Sequence, residues 1–416
     1  MKSDLDALMQ ASGIDALLVT GPGDHNPAMV YLTGRSDLNL TNADLIKLPG
    51  QAPVLFHADM ERGEAARSGL PTVNLARYRL ADLLDEAKGD MLRYSVARYR
   101  RMFQEVGLTA GRVALYGRIE AGAALAIFNS LQQAMPGLSF VPELGRTLLS
   151  QAMATKDEYE VERMRQMGRI TTQVVGQTAE FLCAHAAQDG VLIQRDGRPL
   201  TIGDVKRRIN FWLAEAGVEN PEGLIFSTGY DSAIPHSSGA ADDLLRLGQT
   251  IIFDIFPCEQ GGGYYYDFTR TWCLGYASDE ILRIYEDVLQ VYRVIMSELK
   301  LGEPTRLYMQ RACQLFEILG HPNVCSDSQA QKGFVHGLGH GIGLNVHEMP
   351  QFSLYAGPDE RLLPGMVMTV EPGLYYPERM MGVRLEDTVW MRPDGQVEVL
   401  ADYPLDLVLK VARQAS

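Results

Sequence analysis

Residues 250–274 read TIIFDIFPCEQGGGYYYDFTRTWCL, and two aspartates stand out among them. Residues 250–256 form a strand pattern interrupted by one carboxylate, Asp254. Three glycines follow at 261–263, and a second strand pattern over 264–274 carries Asp267. Two apolar runs joined by a glycine-rich turn predict a hairpin, which would bring the two carboxylates together. A carboxylate inside an apolar strand is costly to bury unless a cation neutralises it. Taken alone, the pair reads equally well as a turn cap (Asp254) and a partner of Arg270 (Asp267).

Further along, residues 334–348 read FVHGLGHGIGLNVHE and place His336, His340 and His347 in a frame of alternating glycines. Such glycines let imidazoles and backbone close around a small ligand. They do not match the dinucleotide pattern GxGxxG, and His347-Glu348 lacks a second histidine at zincin spacing. Two more carboxylates lie in strand settings. Glu371 ends the apolar run 367–370, and Glu386 shares a strand face with Arg384 and Thr388 by the period of two. A strand-end charge or a surface ion pair explains either one alone. Together, four carboxylates and one histidine make an oxygen-rich set suited to divalent Mn, Co, Fe or Zn, with two ions sharing carboxylates. Two such ions can activate water and grip the developing oxyanion of an amide.

The chain of 416 residues exceeds what one core usually serves, so two domains are expected. Residues 4–12 read as a helix stopped by Gly13, and 16–20, 52–57 and 113–116 read as strands, with helical stretches between them, notably 80–104. That alternation predicts an α/β domain over 1–153. Helices at 156–183, 202–216 and 279–299, mixed with strands and glycine turns, predict an α+β domain over 154–416. A net charge of -14 argues against a nucleic-acid partner. No apolar stretch is long enough for a membrane span, and the N-terminus has no secretory apolar core. The five cysteines, odd in number and without a CxxC pair, read as reduced thiols of a cytoplasmic protein.

The segments DIFPCEQGGGYYYDFTRTW, HGLGHGIGLNVHE, TVEPGLYY and GVRLEDTV, in this order, resemble the M24-type metallopeptidases: proline-specific aminopeptidases, prolidases and methionine aminopeptidases. The likeness covers about residues 155–416 and implies the pita-bread fold. IDALLVTGPGDHNPAMVYLTGR, residues 14–35, resembles the creatinase-type N-terminal domain.

Residue by residue, the resemblance implies metal ligands Asp254, Asp267, His340, Glu371 and Glu386. It implies Glu371 as the general base and acid on a water shared by two metal ions, which attacks as hydroxide, manganese being the first choice of metal with cobalt, zinc or iron as alternatives. It implies His347 and His236 as active-site histidines, and Arg384 as a residue that orients a ligand or binds a substrate carboxylate. His336 lines the pocket or serves the structure. The Asp254–Asp267 interval is two residues longer than is usual in the family, and the extra length is expected in the turn at 261–263; Glu259 and Asp279 are not replacements.

The implied activity is hydrolysis of the bond between an N-terminal residue and proline, as an aminopeptidase or a dipeptidase, in a homodimer. The long N-terminal domain disfavours a methionine aminopeptidase. Alternatives on the same fold are creatinase-type hydrolysis, which the intact ligand set disfavours, dimethylsulfoniopropionate lyase chemistry, and a non-catalytic binding protein.

Overall fold

The computed structural model describes residues 4–412. They form two compact units: the residues up to Met153 with Gln260–Gly263, and Ala154–Glu259 with the residues from Tyr264 onward.

The first unit is built on one six-stranded sheet. Its strand order is Thr72–Asn74, Val54–His57, Ala43–Lys47, Ala16–Gly21, Gly111–Gly117, Leu138–Val141. Leu18, Phe56, Tyr99, Phe103 and Phe128 sit in its core. The helical stretch expected over 80–104 divides into Leu80–Glu86 and Met91–Glu105. Lys88 and Gly89 take positive φ (53° and 75°), which ends the first helix, and Asp90 caps the second. Strand Ala43–Lys47 escapes a sequence pattern because both of its charged residues are buried. Lys47 pairs with Asp6, while Asp44 accepts bonds from Tyr99 Oη (2.9 Å) and Arg98 Nη1 (2.8 Å).

In the second unit, helix Glu158–Cys183 starts on a capping box between Asp157 and Glu160. Helices Ile202–Glu215, Asp279–Glu298 and Thr305–Ile318 follow. One sheet runs Leu224–Thr228, Thr250–Ile255, Phe268–Leu274, Val408–Leu409. The other runs Glu348–Phe352, Gly339–Gly341, Val367–Val370, Asp387–Met391, Val397–Val399. Strands Gly373–Tyr376 and Met381–Arg384 pair as a short ribbon. Ile284, Val288, Val291 and Ile295 of one helix pack with Phe316, Met368, Val370 and Val389 into a single core. The strands that carry or lead into Glu371 and Glu386 are thus anchored to one packed body, while Ile252 of the Asp254 strand packs with Ile225 and Tyr375.

Three expectations change in detail. The hairpin's second strand starts at Phe268 rather than at 264, and Cys258–Glu259 leaves to pair with Val218–Glu219. The turn at 261–263 is itself packed against other backbone. Gly261 O accepts the His25 N–H at 2.7 Å, and a Cβ on Gly261 would lie 1.9 Å from Ser36 O, so this backbone approach needs glycine.

The cysteines are not all reduced. Cys313 and Cys325 form a disulfide with Cα atoms 6.1 Å apart. The chain turns back after helix Thr305–Ile318, and Asn323 Nδ2 donates to Cys313 O at 3.3 Å, closing a separation the linear spacing did not reveal. Among the described residues, no helix is long and apolar enough to cross a membrane.

Candidate metal centre

Strands Thr250–Ile255 and Phe268–Leu274 run antiparallel with Asp254 opposite Thr269. Asp267 immediately precedes the second strand, two residues from Thr269. By the two-residue period Asp254, Thr269 and Asp267 therefore share one face. Glu386 sits in the break between Met381–Arg384 and Asp387–Met391, where its N–H donates to Thr269 O at 3.1 Å. Thr269 Oγ1 returns a bond to Glu386 Oε2 at 2.6 Å. Glu371 directly follows strand Val367–Val370, whose neighbour Gly339–Gly341 carries His340.

These side chains meet. His340 Nε2 lies 3.3 Å from Glu371 Oε1 and 3.7 Å from Asp267 Oδ2. Asp267, His340 and Glu386 offer ligand atoms all within 4.8 Å of one another. His340 is oriented by its backbone N–H, which donates to Thr369 Oγ1 at 3.1 Å, and by Nδ1 against Gly341 O at 3.1 Å. A proton on Nδ1 leaves Nε2 as the free acceptor facing the carboxylates.

The electrostatics say what the cluster lacks. Burial, then Glu386, Asp254 and Glu371, push the Asp267 carboxyl well above its usual range. Burial and Glu371 do the same to Glu386. Burial carries Glu371 up to about 7, against the opposing pull of Arg384. Burial and the neighbouring His347 lower His340 to about 3, so it is a neutral imidazole at ordinary pH. Asp254 Oδ1 is buried without a hydrogen-bond partner. An orphaned carboxylate oxygen beside mutually repelling carboxyls and a neutral imidazole is the chemistry of a cation site, and the residues fit divalent metal ions.

The remaining expected residues line the same cavity of about 780 Å³: His236, His347, His336 and Arg384. The rings of His340 and His347 lie 4.3 Å apart, edge to face. Burial and His236 lower the His347 pKa, while Asp254 and Glu222 oppose them. Arg384 is spent on the protein. Nη2 donates to Asp254 Oδ2 (2.7 Å), Nη1 to Tyr375 Oη (2.7 Å) and Pro235 O (3.2 Å), and Nε to Thr269 Oγ1 (3.3 Å). His336 places Nδ1 against Gly337 O and Nε2 3.0 Å from Tyr375 Oη. With Arg384 donating to that hydroxyl, Tyr375 is left to donate to His336.

Sequence reasoning missed the supports. Tyr375 was legible only as one aromatic of a motif. Lys156 and Glu348 form a buried pair at 2.8 Å, and Glu348 Oε1 accepts the N–H groups of Leu344 (2.8 Å) and Asn345 (3.1 Å). This holds the turn that presents His347. Lys156→Met should cost about 3–5 kcal/mol, the usual penalty for stranding one member of a buried pair, whereas the double variant Lys156→Met/Glu348→Gln should recover part of it. Chemical unfolding of the two variants checks this.

Residues 162–393 match the family model for metallopeptidase family M24, and residues 2–145 match the creatinase/prolidase N-terminal domain. The chain belongs to metallopeptidase family M24. Its two parts are accordingly a creatinase-type N-terminal domain and a pita-bread catalytic domain, as the sequence motifs led one to expect, and family membership implies divalent metal ions. A probable dipeptidase PepE of Mycobacterium tuberculosis is 29% identical over 80% of this chain and 81% of its own length. A Xaa-Pro dipeptidase of Pyrococcus furiosus is 32% identical over 46% of this chain and 51% of its own. The crystal structure of an X-Pro aminopeptidase from Thermotoga maritima shares the fold, with TM-score 0.73 and 22% identity, covering 97% of this chain and 100% of that one.

The raised carboxyls set the sign of a pH effect in the metal-free protein. A carboxyl whose folded pKa exceeds its unfolded one keeps a proton that the unfolded chain has lost, so stability falls as pH rises toward the folded value. For Glu371 that window runs from 4.5 to about 7. The depressed histidines act oppositely, but only below their ordinary 6.5. Between roughly pH 6.5 and 7.5 the melting temperature of the metal-free protein should therefore fall, and Mn²⁺ uptake in that window should release protons. A melting temperature that rises there, in calorimetry at several pH values, contradicts the shifts.

Proposed function

We propose that this M24 metallopeptidase removes the residue in front of a proline, from dipeptides or from longer peptides, using two divalent ions held by Asp254, Asp267, His340, Glu371 and Glu386. The convergence of Asp267, His340 and Glu386 within 4.8 Å, with Glu371 3.3 Å from His340, is the observation that carries the reading. The names of the dipeptidase and aminopeptidase relatives support the substrate class. Manganese is the first choice of metal, and a homodimer in the cytoplasm is the expected setting.

When bound, the ions would supply Lewis acidity toward water and the scissile carbonyl. The protein's own groups supply the rest. Glu371, at the edge of the cluster with Oε1 3.3 Å from His340 Nε2, is the carboxylate proposed to take a proton from the attacking water and to return it to the departing proline nitrogen. His347 and His236, lining the cavity, are placed to donate hydrogen bonds to the substrate carbonyl or leaving nitrogen. Arg384 pairs with Asp254 and so fixes one ligand; its engaged donors favour orienting that carboxylate over binding the substrate's own.

Mass spectrometry of products tests the reading. Incubated with Leu-Pro, Leu-Pro-Gly and Leu-Ala-Gly, the Mn²⁺-loaded protein should release leucine from at least the first and spare the last. Release from the alanine peptide at an equal rate would remove the proline requirement.

A further inference from the structure

Glu222 is the cavity carboxylate that the proposed ligand set leaves over. It lines the same cavity as the metal cluster, yet its residue is exposed to solvent. It stands on a turn fixed by Pro221 and by Gly223, whose φ is 80° and whose N–H donates to Asn220 O at 3.2 Å. The chain then enters strand Leu224–Thr228, which pairs with the strand bearing Asp254. Among the described residues the Glu222 carboxylate has no hydrogen bond or ion pair. Its charge nonetheless reaches the site, since it is one of the groups acting on His347.

Two surroundings give that charge a meaning. Among the described residues Arg384 is the one lysine or arginine lining the cavity, and it is committed to Asp254, Tyr375 and backbone. Leu224, Ile225, Phe256 and Val346 supply an apolar wall in the same cavity. An entering side chain therefore meets aliphatic and aromatic surface together with an uncompensated negative charge. A long aliphatic stem with a cationic tip matches both, because the stem buries while the tip stays hydrated near its counter-charge.

We propose that Glu222 makes this site select peptides with lysine or arginine in front of the proline, a specificity that rests on the Xaa-Pro reading above. The substrate's α-ammonium does not explain Glu222 equally well. A single Cα separates that ammonium from the scissile carbonyl, which keeps it beside the buried carboxylates rather than at an exposed wall, and it brings no stem for the apolar residues.

The test compares kcat/KM for Lys-Pro with that for norleucine-Pro, which keeps the stem and lacks the charge, on the full-length Mn²⁺-loaded protein. The wild type should favour lysine by about fivefold at low ionic strength, less at high salt. Glu222→Gln should bring that ratio close to one, and Glu222→Lys below one. A wild-type ratio at or below one overturns the proposal, and so does a ratio unchanged in Glu222→Gln. If Glu222→Gln lowers both substrates alike, Glu222 serves the α-ammonium or the fold and the proposal fails. Failure of the wild type to cleave either peptide would instead bring down the Xaa-Pro reading, and this specificity with it.

Discussion

Replacing Glu371 by glutamine should lower kcat by about a thousandfold while moving KM by no more than about threefold. Glu371 is held at both ends: its backbone N–H donates to Leu338 O at 2.8 Å, and Thr369 Oγ1 donates to its Oε1 at 3.3 Å. Glutamine is close in shape and can keep the Thr369 contact, but it cannot carry a proton between water and the leaving nitrogen. Metal content of the variant, measured by atomic emission, separates the two roles proposed for Glu371. Retained metal with lost turnover identifies the proton carrier. Parallel losses of kcat and of metal would leave ligation as its whole role, and near-normal kcat would contradict both.

Asp267→Asn should produce two effects of opposite sign. In the metal-free protein it removes a carboxyl that burial and three neighbouring acids hold well above its usual pKa, so folding should become easier. A melting temperature higher by a few degrees is expected, corresponding to about 1 kcal/mol or more. With Mn²⁺ present the order should reverse, because the wild type gains stability from ions it binds and the variant does not. Activity should fall to background. A variant less stable than the wild type without metal would mean that Asp267 is held by contacts other than a cation, since among the described residues the backbone bond to its carboxylate comes from the Phe268 N–H (2.9 Å).

How much of this was legible in the sequence depended on whether a signal was local. Asp254, Asp267, His340, Glu371 and Glu386 stood out because charge in an apolar strand, or histidine among glycines, is locally anomalous. The paired strands could be read from two apolar runs, and the capping box at Asp157 and Glu160 marks a helix start that no distant contact needs to supply. The remainder was not local. Strand Ala43–Lys47 looks polar until Asp6, Tyr99 and Arg98 are brought to it from up to 55 residues away. Cys258–Glu259 pairs with a strand some 40 residues upstream, which no turn signal announces. The Cys313–Cys325 bond depends on how the chain turns after a helix, and spacing carries no such information. The Lys156–Glu348 pair spans 192 residues and holds the His347 turn, so only the folded chain reveals it. Glu222 was invisible for a different reason: the role proposed for it rests on its having no partner among the described residues, which a sequence cannot display.

The central claim is that two divalent ions at this cluster support cleavage before proline. Metal-depleted protein, titrated with Mn²⁺ while bound metal and Leu-Pro hydrolysis are followed together, tests it most directly. Activity absent without metal and rising until about two ions are bound per chain is the predicted result. Full activity in the depleted protein, or two ions bound with no hydrolysis of any Xaa-Pro peptide, would contradict it.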